Sequence, residues 1–359
     1  MADDISFVTG GAGFIGRHLV RQLVEQGEHV RVLDIDCGSE PLPKGTEVVE
    51  GSVLDAPLLR KMMRGARRVY HLAADSNLWA RNKASFHQTN FEGTRTVLQA
   101  AHVAGVERVV YTSTETILKG NAKMDGPIHE DVRLPGLNNM PGAYCKSKFL
   151  AERAALEAAS AGLPVVVVNP TLPVGPGDWK LTPPTRMLQG FLTGTFPAYL
   201  QCQLNLVPVE DVARGHILAA EKGRIGERYI LSGENVMLSQ LLMILERLTG
   251  QDMPKHCIPY WLALLTGAVN EFVSDHFTHK PPTAPLAGVQ LARSSSMFQS
   301  IKAQTELGFE AGSLDAALIR AIAWLSRSEF LEARRKGRQI SMTFIDGARK
   351  RQLGTTTPG

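Results

Sequence analysis

The sequence predicts an α/β fold, a doubly wound parallel sheet with a smaller C-terminal α/β lobe. Apolar runs typical of buried parallel strands alternate with amphipathic helical patterns through the first half of the chain. A glycine-rich turn also joins the first of these runs directly to the first helical pattern. The five runs are ISFVTG (5–10), HVRVLDID (29–36), RVYHLAA (68–74), RVVYTST (108–114) and PVVVVNP (164–170).

The glycine-rich turn, TGGAGFIG, places Gly10, Gly13 and Gly16 at the opening of the first helix. Glycines there permit a tight turn, let backbone N–H groups approach a pyrophosphate, and allow the helix to pack closely on the strand. Asp34 ends the next predicted strand, where a carboxylate can accept hydrogen bonds from an adenosine ribose. This combination predicts a Rossmann dinucleotide-binding domain, whereas a glycine-rich connector alone would not.

Asp34 also bears on the choice of dinucleotide. A carboxylate that faces the ribose repels a 2′-phosphate, and no Arg follows it within DIDCGSE (34–40). NAD is therefore predicted as the cofactor, with NADP disfavoured. The alternative is that Asp34 only terminates the strand.

A stretch rich in Pro and Gly, NPTLPVGPGDWKLTPPT (169–185), separates the predicted sheet from a second region. In that region RYILSGENVMLSQLLMILERLTG predicts a strand followed by a helix, and 313–325 predicts a final amphipathic helix with Ser313 as its N-cap. The predicted parts are a dinucleotide-binding domain (1–170), a substrate-binding lobe interleaved with the main sheet (171–326) and a basic C-terminal tail (327–359).

Charge and cysteine content exclude several classes of protein. The net charge of the chain is +4, but residues 327–359 alone contain eight Lys and Arg against three acids. Residues 1–326 therefore have a net charge of −1. Since a nucleic-acid-binding domain carries a basic surface on the fold itself, no nucleic-acid partner is expected. The four cysteines are scattered without a C-x-x-C pair, which predicts neither disulfides nor a metal site. The acidic start of the chain lacks a secretory signal, and we expect a cytoplasmic protein.

Two segments suggest contact with a lipid surface. One is the unusually apolar segment CIPYWLALLTGAVNEFV (257–273), which could line a pocket, rest on a membrane or form a core helix. It is too short to span a bilayer, since a spanning helix needs about 20 apolar residues. The tail interleaves basic and apolar residues over 332–353, which fits either an anionic bilayer surface or a solvated segment. Peripheral contact with the inner face of a membrane is therefore one expectation.

A series of short motifs resembles an extended short-chain dehydrogenase/reductase, of the NAD-dependent epimerase/dehydratase superfamily, over about residues 5–325. Segments 73–81 and 169–178 are most similar to the dihydroflavonol-reductase-like and hopanoid-associated branch, with the 3β-hydroxysteroid dehydrogenases nearby. The motifs are TGGAGFIG (9–16), LDID (33–36), HLAA (71–74), NFEGT (90–94), VYTST (110–114) and YCKSK (144–148).

The pair Tyr144 and Lys148 lies four positions apart, on one face of a predicted helix. Alone it would suit an ordinary amphipathic helix, but beside a dinucleotide loop it predicts catalysis. The resemblance implies that Tyr144 is the general acid/base, because a nearby cation favours a phenolate whose ordinary pKa is about 10. It also implies that Lys148 holds the nicotinamide ribose and that Thr114 orients the reacting carbonyl or alcohol.

The resemblance further implies a set of residues that contact the dinucleotide. Within this set Ser52 replaces the acidic residue that contacts adenine in the family, and outside it Pro208 replaces a family histidine. The implied contacts are Gly10, Gly13, Phe14, Ile15, Gly16, Asp34, Ile35, Ser52, Val53, Leu72, Ala73, Ala74, Asn90, Tyr144, Lys148, Pro170 and Leu172.

Two departures from the family pattern bear on the substrate. Sugar-nucleotide dehydratases carry Asp-Glu after the catalytic Thr, whereas this chain has Glu115 and Thr116. Nucleotide-sugar epimerases carry Asn where Leu172 stands, and an apolar group there suits an apolar ligand. The predicted function is an NAD-dependent oxidoreductase that interconverts a secondary alcohol and a ketone on a hydrophobic substrate of the lipid, sphingolipid or steroid type.

Two alternatives remain at this point. One is a nucleotide-sugar 4-epimerase, which would oxidise and re-reduce a sugar with the same residues. The other is a non-catalytic dinucleotide-sensing protein, which would have no need of a proton-transferring Tyr144. The resemblance also implies a homodimer formed through a helix pair.

Overall fold

Ten strands form the two sheets of the computed structural model, which describes residues 5–38, 40–120, 126–132, 134–293 and 296–327. The strands are β1 (Ile5–Thr9), β2 (His29–Asp34), β3 (Glu47–Glu50), β4 (Ala66–His71), β5 (Arg108–Thr112), β6 (Val165–Pro170), β7 (Leu172–Val174), β8 (Gln203–Pro208), β9 (Arg228–Leu231) and β10 (Glu234–Met237).

The main sheet is wholly parallel and has the strand order β3-β2-β1-β4-β5-β6-β9. The order reverses between β1 and β4, so the chain leaves these two neighbouring strands in opposite directions. Ligands of such sheets bind in the crevice at the carboxyl ends of the strands at this reversal. Thr9 and His71, the paired last residues of β1 and β4, mark that point here.

Twelve α-helices flank the sheets in the described residues, with short π-helical stretches at His87–Glu92, Ser274–Thr278 and Ala303–Leu307. The helices are α1 (Phe14–Glu25), α2 (Ala56–Met62), α3 (Ala84–Phe86), α4 (Gly93–Ala104), α5 (Thr116–Lys119), α6 (Gly142–Ser160), α7 (Pro183–Leu192), α8 (Val209–Lys222), α9 (Leu238–Thr249), α10 (Tyr260–Val273), α11 (Leu286–Arg293) and α12 (Leu314–Arg327).

Apolar side chains cover both faces of the main sheet, and its inner strands are accordingly rich in Val, Leu and Tyr. One face packs against α2, α4 and α6, and the other packs against α1 and α8. In β6 every residue is buried, from Val165 to Pro170. The doubly wound sheet predicted from the sequence is therefore confirmed.

The smaller lobe packs α7, α9 and α12 on a three-stranded sheet of order β10-β8-β7. The predicted strand near residue 228 is two strands: β9 joins the main sheet and β10 joins the small one. The helix predicted after them is α9. At the start of α12, the Oγ of Ser313 accepts a hydrogen bond from Ala316 N at 3.4 Å, as expected of an N-cap.

The apolar segment 257–273 forms α10 on the surface. Only Ala263 and Gly267 of this helix are buried, so the core-helix alternative is wrong. No described helix has both the length and the apolar character needed to cross a membrane. The tail segment 332–353 lies outside the described residues.

Candidate active site

The glycine-rich turn is held close to the end of β4. Gly10 follows β1 with φ of +73°, and a Cβ there would lie 2.6 Å from the backbone nitrogen of Ala73. A Cβ on Gly16 would lie 2.1 Å from the carbonyl oxygen of Gly10. Both positions therefore require glycine, because no side chain fits between these backbone segments.

The N-terminus of α1 provides unused hydrogen-bond donors at the turn. Gly13 is the N-cap, and the first intrahelical bond runs from Arg17 N to Gly13 O at 3.0 Å. The N–H groups of Phe14, Ile15 and Gly16 precede that bond, at the positive end of the helix dipole. This arrangement fits a dinucleotide pyrophosphate.

Asp34 lies at the end of β2 beside the same turn. Its Oδ2 accepts a hydrogen bond from Ala12 N at 3.0 Å, and its Oδ1 accepts a longer one from Asp36 N at 3.4 Å. Ile35, the next residue, exposes its side chain to solvent. The carboxylate is thus held beside the glycine-rich turn, and its contact with an adenosine ribose stays a prediction.

The remaining residues expected at the nucleotide lie around this crevice. Ser52 follows β3 and its Oγ accepts a hydrogen bond from Leu54 N at 3.2 Å, while Val53 is buried against Gly93. Leu72, Ala73 and Ala74 follow β4, the strand beside β1.

Lys180 is a cation that the sequence analysis did not place here. It lies in the loop between β7 and α7, and its Nζ is 3.8 Å from Asp34 Oδ1 and 3.7 Å from Asp36 Oδ2. The absence of Arg from residues 34–40, on which the prediction of NAD rests, therefore does not leave Asp34 without a nearby cation. A positive charge at this place offsets part of the repulsion between Asp34 and a 2′-phosphate.

Replacing Lys180 by Ala should increase the preference for NADH over NADPH, and replacing Asp34 by Ala should reduce it. The effect of Lys180 should be about fivefold or less, because its ammonium is half exposed and screened by solvent. Dissociation constants of both dinucleotides, measured by fluorescence titration, test this. Lys61→Ala, on the surface of α2, is the control and should leave the preference unchanged.

The three predicted catalytic residues come together at the carboxyl end of β5. Tyr144 and Lys148 lie one turn apart on α6, and both are buried. Thr114 follows β5 by two residues, and its hydroxyl accepts a hydrogen bond from Thr116 N at 3.3 Å. Burial raises the pKa of Tyr144, while the nearby Thr114 side chain acts in the opposite direction.

The side chain of Lys148 is almost completely buried. Its Nζ donates a hydrogen bond to Thr112 O at 2.7 Å and lies 4.6 Å from the centre of the Tyr111 ring. Burial lowers the pKa of Lys148 to about 7, and the charge of Glu152, one turn further along α6, opposes this shift. Glu152 itself forms an ion pair with Arg228 at 2.8 Å.

Replacing Lys148 by Met should stabilise the cofactor-free protein most at about pH 7 and below. There the folded and unfolded chains both carry the proton, so the wild type bears the whole cost of burying the ammonium. Above the folded pKa only the unfolded chain keeps the proton, so rising pH favours the folded wild type by up to about 1.4 kcal/mol per pH unit. The gain should therefore shrink towards pH 10, as urea unfolding of both proteins would show; a gain independent of pH would contradict the assignment.

Asn90 forms hydrogen bonds both to the segment after β4 and to helix α6. Its Oδ1 accepts a hydrogen bond from Asp75 N at 2.8 Å, and its Nδ2 donates to Asp75 O and to Ser147 Oγ, both at 3.0 Å. Asp75 had no role in the sequence analysis. Its charge and that of Glu115 both raise the pKa of Tyr144.

Comparison with known proteins identifies the family. The model of the NAD dependent epimerase/dehydratase family matches residues 6–232. The chain belongs to this family. The expected resemblance to extended short-chain dehydrogenases/reductases is thereby confirmed, and so is the expectation of an NAD-dependent enzyme.

Individual relatives match nearly the whole chain. A Synechocystis protein named "Putative dihydroflavonol 4-reductase" is 37% identical over 92% of this chain and 96% of its own. Sterol demethylase protein B of Methylococcus capsulatus is 31% identical over 89% of this chain and 97% of its own. The crystal structure of gox2253 superimposes with a TM-score of 0.77 at 32% identity, over 91% of this chain and 99% of that one.

Apolar side chains surround Tyr144 in this member of the epimerase/dehydratase family. The cluster brings together residues of α3, α5, α6, α11 and β9 with three flanking segments, and Phe86 meets the Tyr144 ring edge-on at 6.3 Å between ring centres. Buried members of the cluster are Phe86, Ile117, Leu118, Ile128, Met140, Cys145, Phe149, Ile230, Leu291 and Phe298.

Glu115 and Leu172, which mark the two departures from the family pattern, lie in different parts of the structure. Glu115 follows Thr114 directly, is buried, and lies 3.3 Å from Lys119 Nζ, while its backbone N–H donates to Pro170 O at 3.1 Å. Pro170 is therefore next to Thr114, the predicted catalytic residue. Leu172 begins β7 and packs partly against the core of the smaller lobe.

Among the described residues, no group of three or more His, Cys, Asp or Glu side chains is placed to hold a metal ion. The described cysteines carry free thiols.

Proposed function

We propose that the protein is an NAD-dependent oxidoreductase that interconverts a secondary alcohol and a ketone on a hydrophobic substrate of the lipid, sphingolipid or steroid type. The observation that carries this proposal is the position of the Tyr144 hydroxyl. Tyr144 lies near enough to Thr114 for that side chain to lower its pKa, is one helical turn from a buried Lys148, and belongs to the apolar cluster. Such a site can transfer a proton while binding an apolar body.

A nicotinamide dinucleotide held by the glycine-rich turn and Asp34 would supply the hydride for reduction or accept it in oxidation. Thr114 donates a hydrogen bond to the substrate oxygen and so fixes its position beside Tyr144. Tyr144 gives its hydroxyl proton to that oxygen in reduction and takes it back in oxidation. Lys148 is the nearby cation that favours the phenolate left behind, as expected when an opposite charge lies close to a titrating group.

The pKa of Tyr144 suits the role of acid. Burial and the charges of Glu115 and Asp75 raise it, so the hydroxyl keeps its proton at neutral pH in the cofactor-free protein. Such a hydroxyl is ready to protonate a ketone oxygen.

Two features favour a lipid-like ketone over the nucleotide sugar of a 4-epimerase. Tyr144 belongs to a cluster of buried apolar side chains, which suits an apolar substrate. Leu172 stands where nucleotide-sugar epimerases carry Asn, and its side chain offers no hydrogen bond to a nucleotide diphosphate.

Net consumption of NADH tests the proposal and separates it from both alternatives. Purified protein and NADH are incubated with a lipid extract or with a mixture of nucleotide sugars, and absorbance of the reduced nicotinamide is followed. We expect oxidation of NADH with the lipid extract only. Interconversion of sugars without net oxidation would support the epimerase, and no reaction in either mixture would support the sensor.

The proposal also covers oligomeric state, location and cofactor preference. We infer a cytoplasmic homodimer that uses NAD in preference to NADP, since Asp34 is fixed beside the nucleotide turn. Light scattering of the full chain tests the dimer, which would give about twice the mass of 39.1 kDa.

A further inference from the structure

One stripe of α10 presents large apolar side chains to solvent. Trp261, Leu265, Val269 and Phe272 follow each other at helical spacing and are 66%, 55%, 54% and 56% exposed, and Phe277 just beyond the helix is 71% exposed. Residues three or four apart share one face of a helix. We call these five residues the α10 face. Contiguous exposed apolar patches of this kind mark interaction sites.

The acids of this region point away from the α10 face. Glu271 and Asp275 both bind Lys83, at 2.6 and 2.8 Å, and Asp275 also accepts a hydrogen bond from Trp79 Nε1 at 2.7 Å. They are the only acids within 257–283 in the sequence, whereas the exposed Lys280 lies at the end of the face. The α10 face is thus apolar with a cationic end, which complements an anionic surface.

The opposite side of α10 packs against α11, which in turn contacts the start of α6. Gly267 of α10 packs against Val289 of α11, and a Cβ on Gly142 would lie 2.9 Å from the Cβ of Ala287 in α11. Gly142 begins α6, two residues before Tyr144. Leu291 of α11 also belongs to the apolar cluster around Tyr144. Helix α11 therefore lies between α10 and the apolar cluster around Tyr144.

We propose that the α10 face docks into the interfacial region of an anionic phospholipid bilayer and that the site draws its lipid substrate from that bilayer. The second half of this statement rests on the proposed function, and the first half does not. The face favours a bilayer over a second copy of the chain because it is one helix wide. A stable protein interface needs about 20–30 residues on each side, and Trp and Phe beside a cation are typical of interfacial helices.

Flotation of the full-length protein with vesicles tests the docking. Vesicles of phosphatidylcholine and phosphatidylglycerol should carry the wild type upward at low salt, and less of it as ionic strength rises. The triple variant Leu265→Glu, Val269→Glu, Phe272→Glu should lower the partition coefficient by at least about tenfold, because binding scales with the apolar area inserted. These side chains are exposed, so the variant should keep the wild-type melting temperature.

Val103→Glu is the matched control, because Val103 is a similarly exposed apolar residue on α4, away from the α10 face. It should float like the wild type. A triple variant that floats as well as the wild type would overturn the proposal and assign binding to another part of the chain, such as residues 328–359. Wild type that ignores the vesicles, or a triple variant that changes the oligomeric mass instead, would also overturn it.

Depth of insertion gives a second readout that needs no activity. Lipids brominated on their acyl chains should quench the fluorescence of Trp261, and the Trp261→Phe variant should float but lose that part of the quenching. Equal quenching in both proteins would contradict insertion of the α10 face. Docking without any turnover of lipid ketones would refute the proposed function and leave the docking intact, so the two failures are distinguishable.

Discussion

Replacing Tyr144 by Phe should lower turnover by about 10²–10⁴-fold and leave cofactor affinity nearly unchanged. The substitution keeps the ring, with its edge-on contact to Phe86, and removes only the hydroxyl near Thr114. Loss of the proton donor should therefore appear in kcat, while the dissociation constant of NADH stays constant. Steady-state kinetics and fluorescence titration together measure both quantities.

Tyr70→Phe is the matched control for that variant. Tyr70 is as deeply buried in β4 but packs on the other core of the sheet, against α1 and α8. Its replacement should leave turnover unchanged. Full activity in Tyr144→Phe would remove Tyr144 from the mechanism, and an equal loss in both variants would point to a general effect of deleting a buried hydroxyl.

Replacing Gly16 by Ala should abolish measurable dinucleotide binding and lower the free energy of unfolding by about 2–4 kcal/mol. The new Cβ would lie 2.1 Å from Gly10 O and 2.8 Å from Gly11 Cα. Both are backbone atoms, so the clash is relieved only by moving the turn or the first turn of α1. Either movement displaces the N–H groups that would bind the pyrophosphate.

Gly136→Ala provides the control, since a Cβ there meets no atom within 4 Å and its φ of −67° suits any residue. This variant should bind NADH and unfold like the wild type. NADH binding by Gly16→Ala with wild-type affinity, measured by isothermal titration, would show that the turn does not hold the cofactor.

The sequence allowed the central fold to be predicted because its strands are buried on both faces. The edge strand β3 was missed, since its four residues, EVVE, are short and largely exposed and give no continuous apolar run. The place of β9 in the main sheet was also missed, because the chain passes through the smaller lobe before returning to pair with β6. Pairing between strands so far apart leaves no local signal.

The candidate site was predicted where residues belong to compact motifs and missed where distant segments meet. Gly10, Asp34 and Tyr144 each stand in a recognisable local context. Lys180 reaches Asp34 from a loop of the smaller lobe, and Asp75 owes its place to a bond with Asn90. Neither contact has a sequence pattern, because the first depends on how a loop of the smaller lobe packs on the main sheet and the second on the path of the chain between β4 and α4.

Segment 257–273 shows the same limit. Its apolar composition was equally compatible with a core helix, a pocket wall and a membrane surface. The choice depends on which face of α10 meets α11, and the small residues Ala263 and Gly267 turned out to form the packed side. The larger apolar residues are therefore left on the outside, an arrangement that hydropathy alone does not distinguish from burial.

Transfer of deuteride from labelled NADH tests the central claim most directly. The full-length protein is incubated with NADH carrying deuterium at C4 of the nicotinamide and with a cellular lipid extract, and the lipids are analysed by mass spectrometry. The account predicts deuterium on the carbinol carbon of a lipid-soluble secondary alcohol, with none transferred by Tyr144→Phe in the same time. Deuterium found only in nucleotide sugars, or in no product at all, would contradict it.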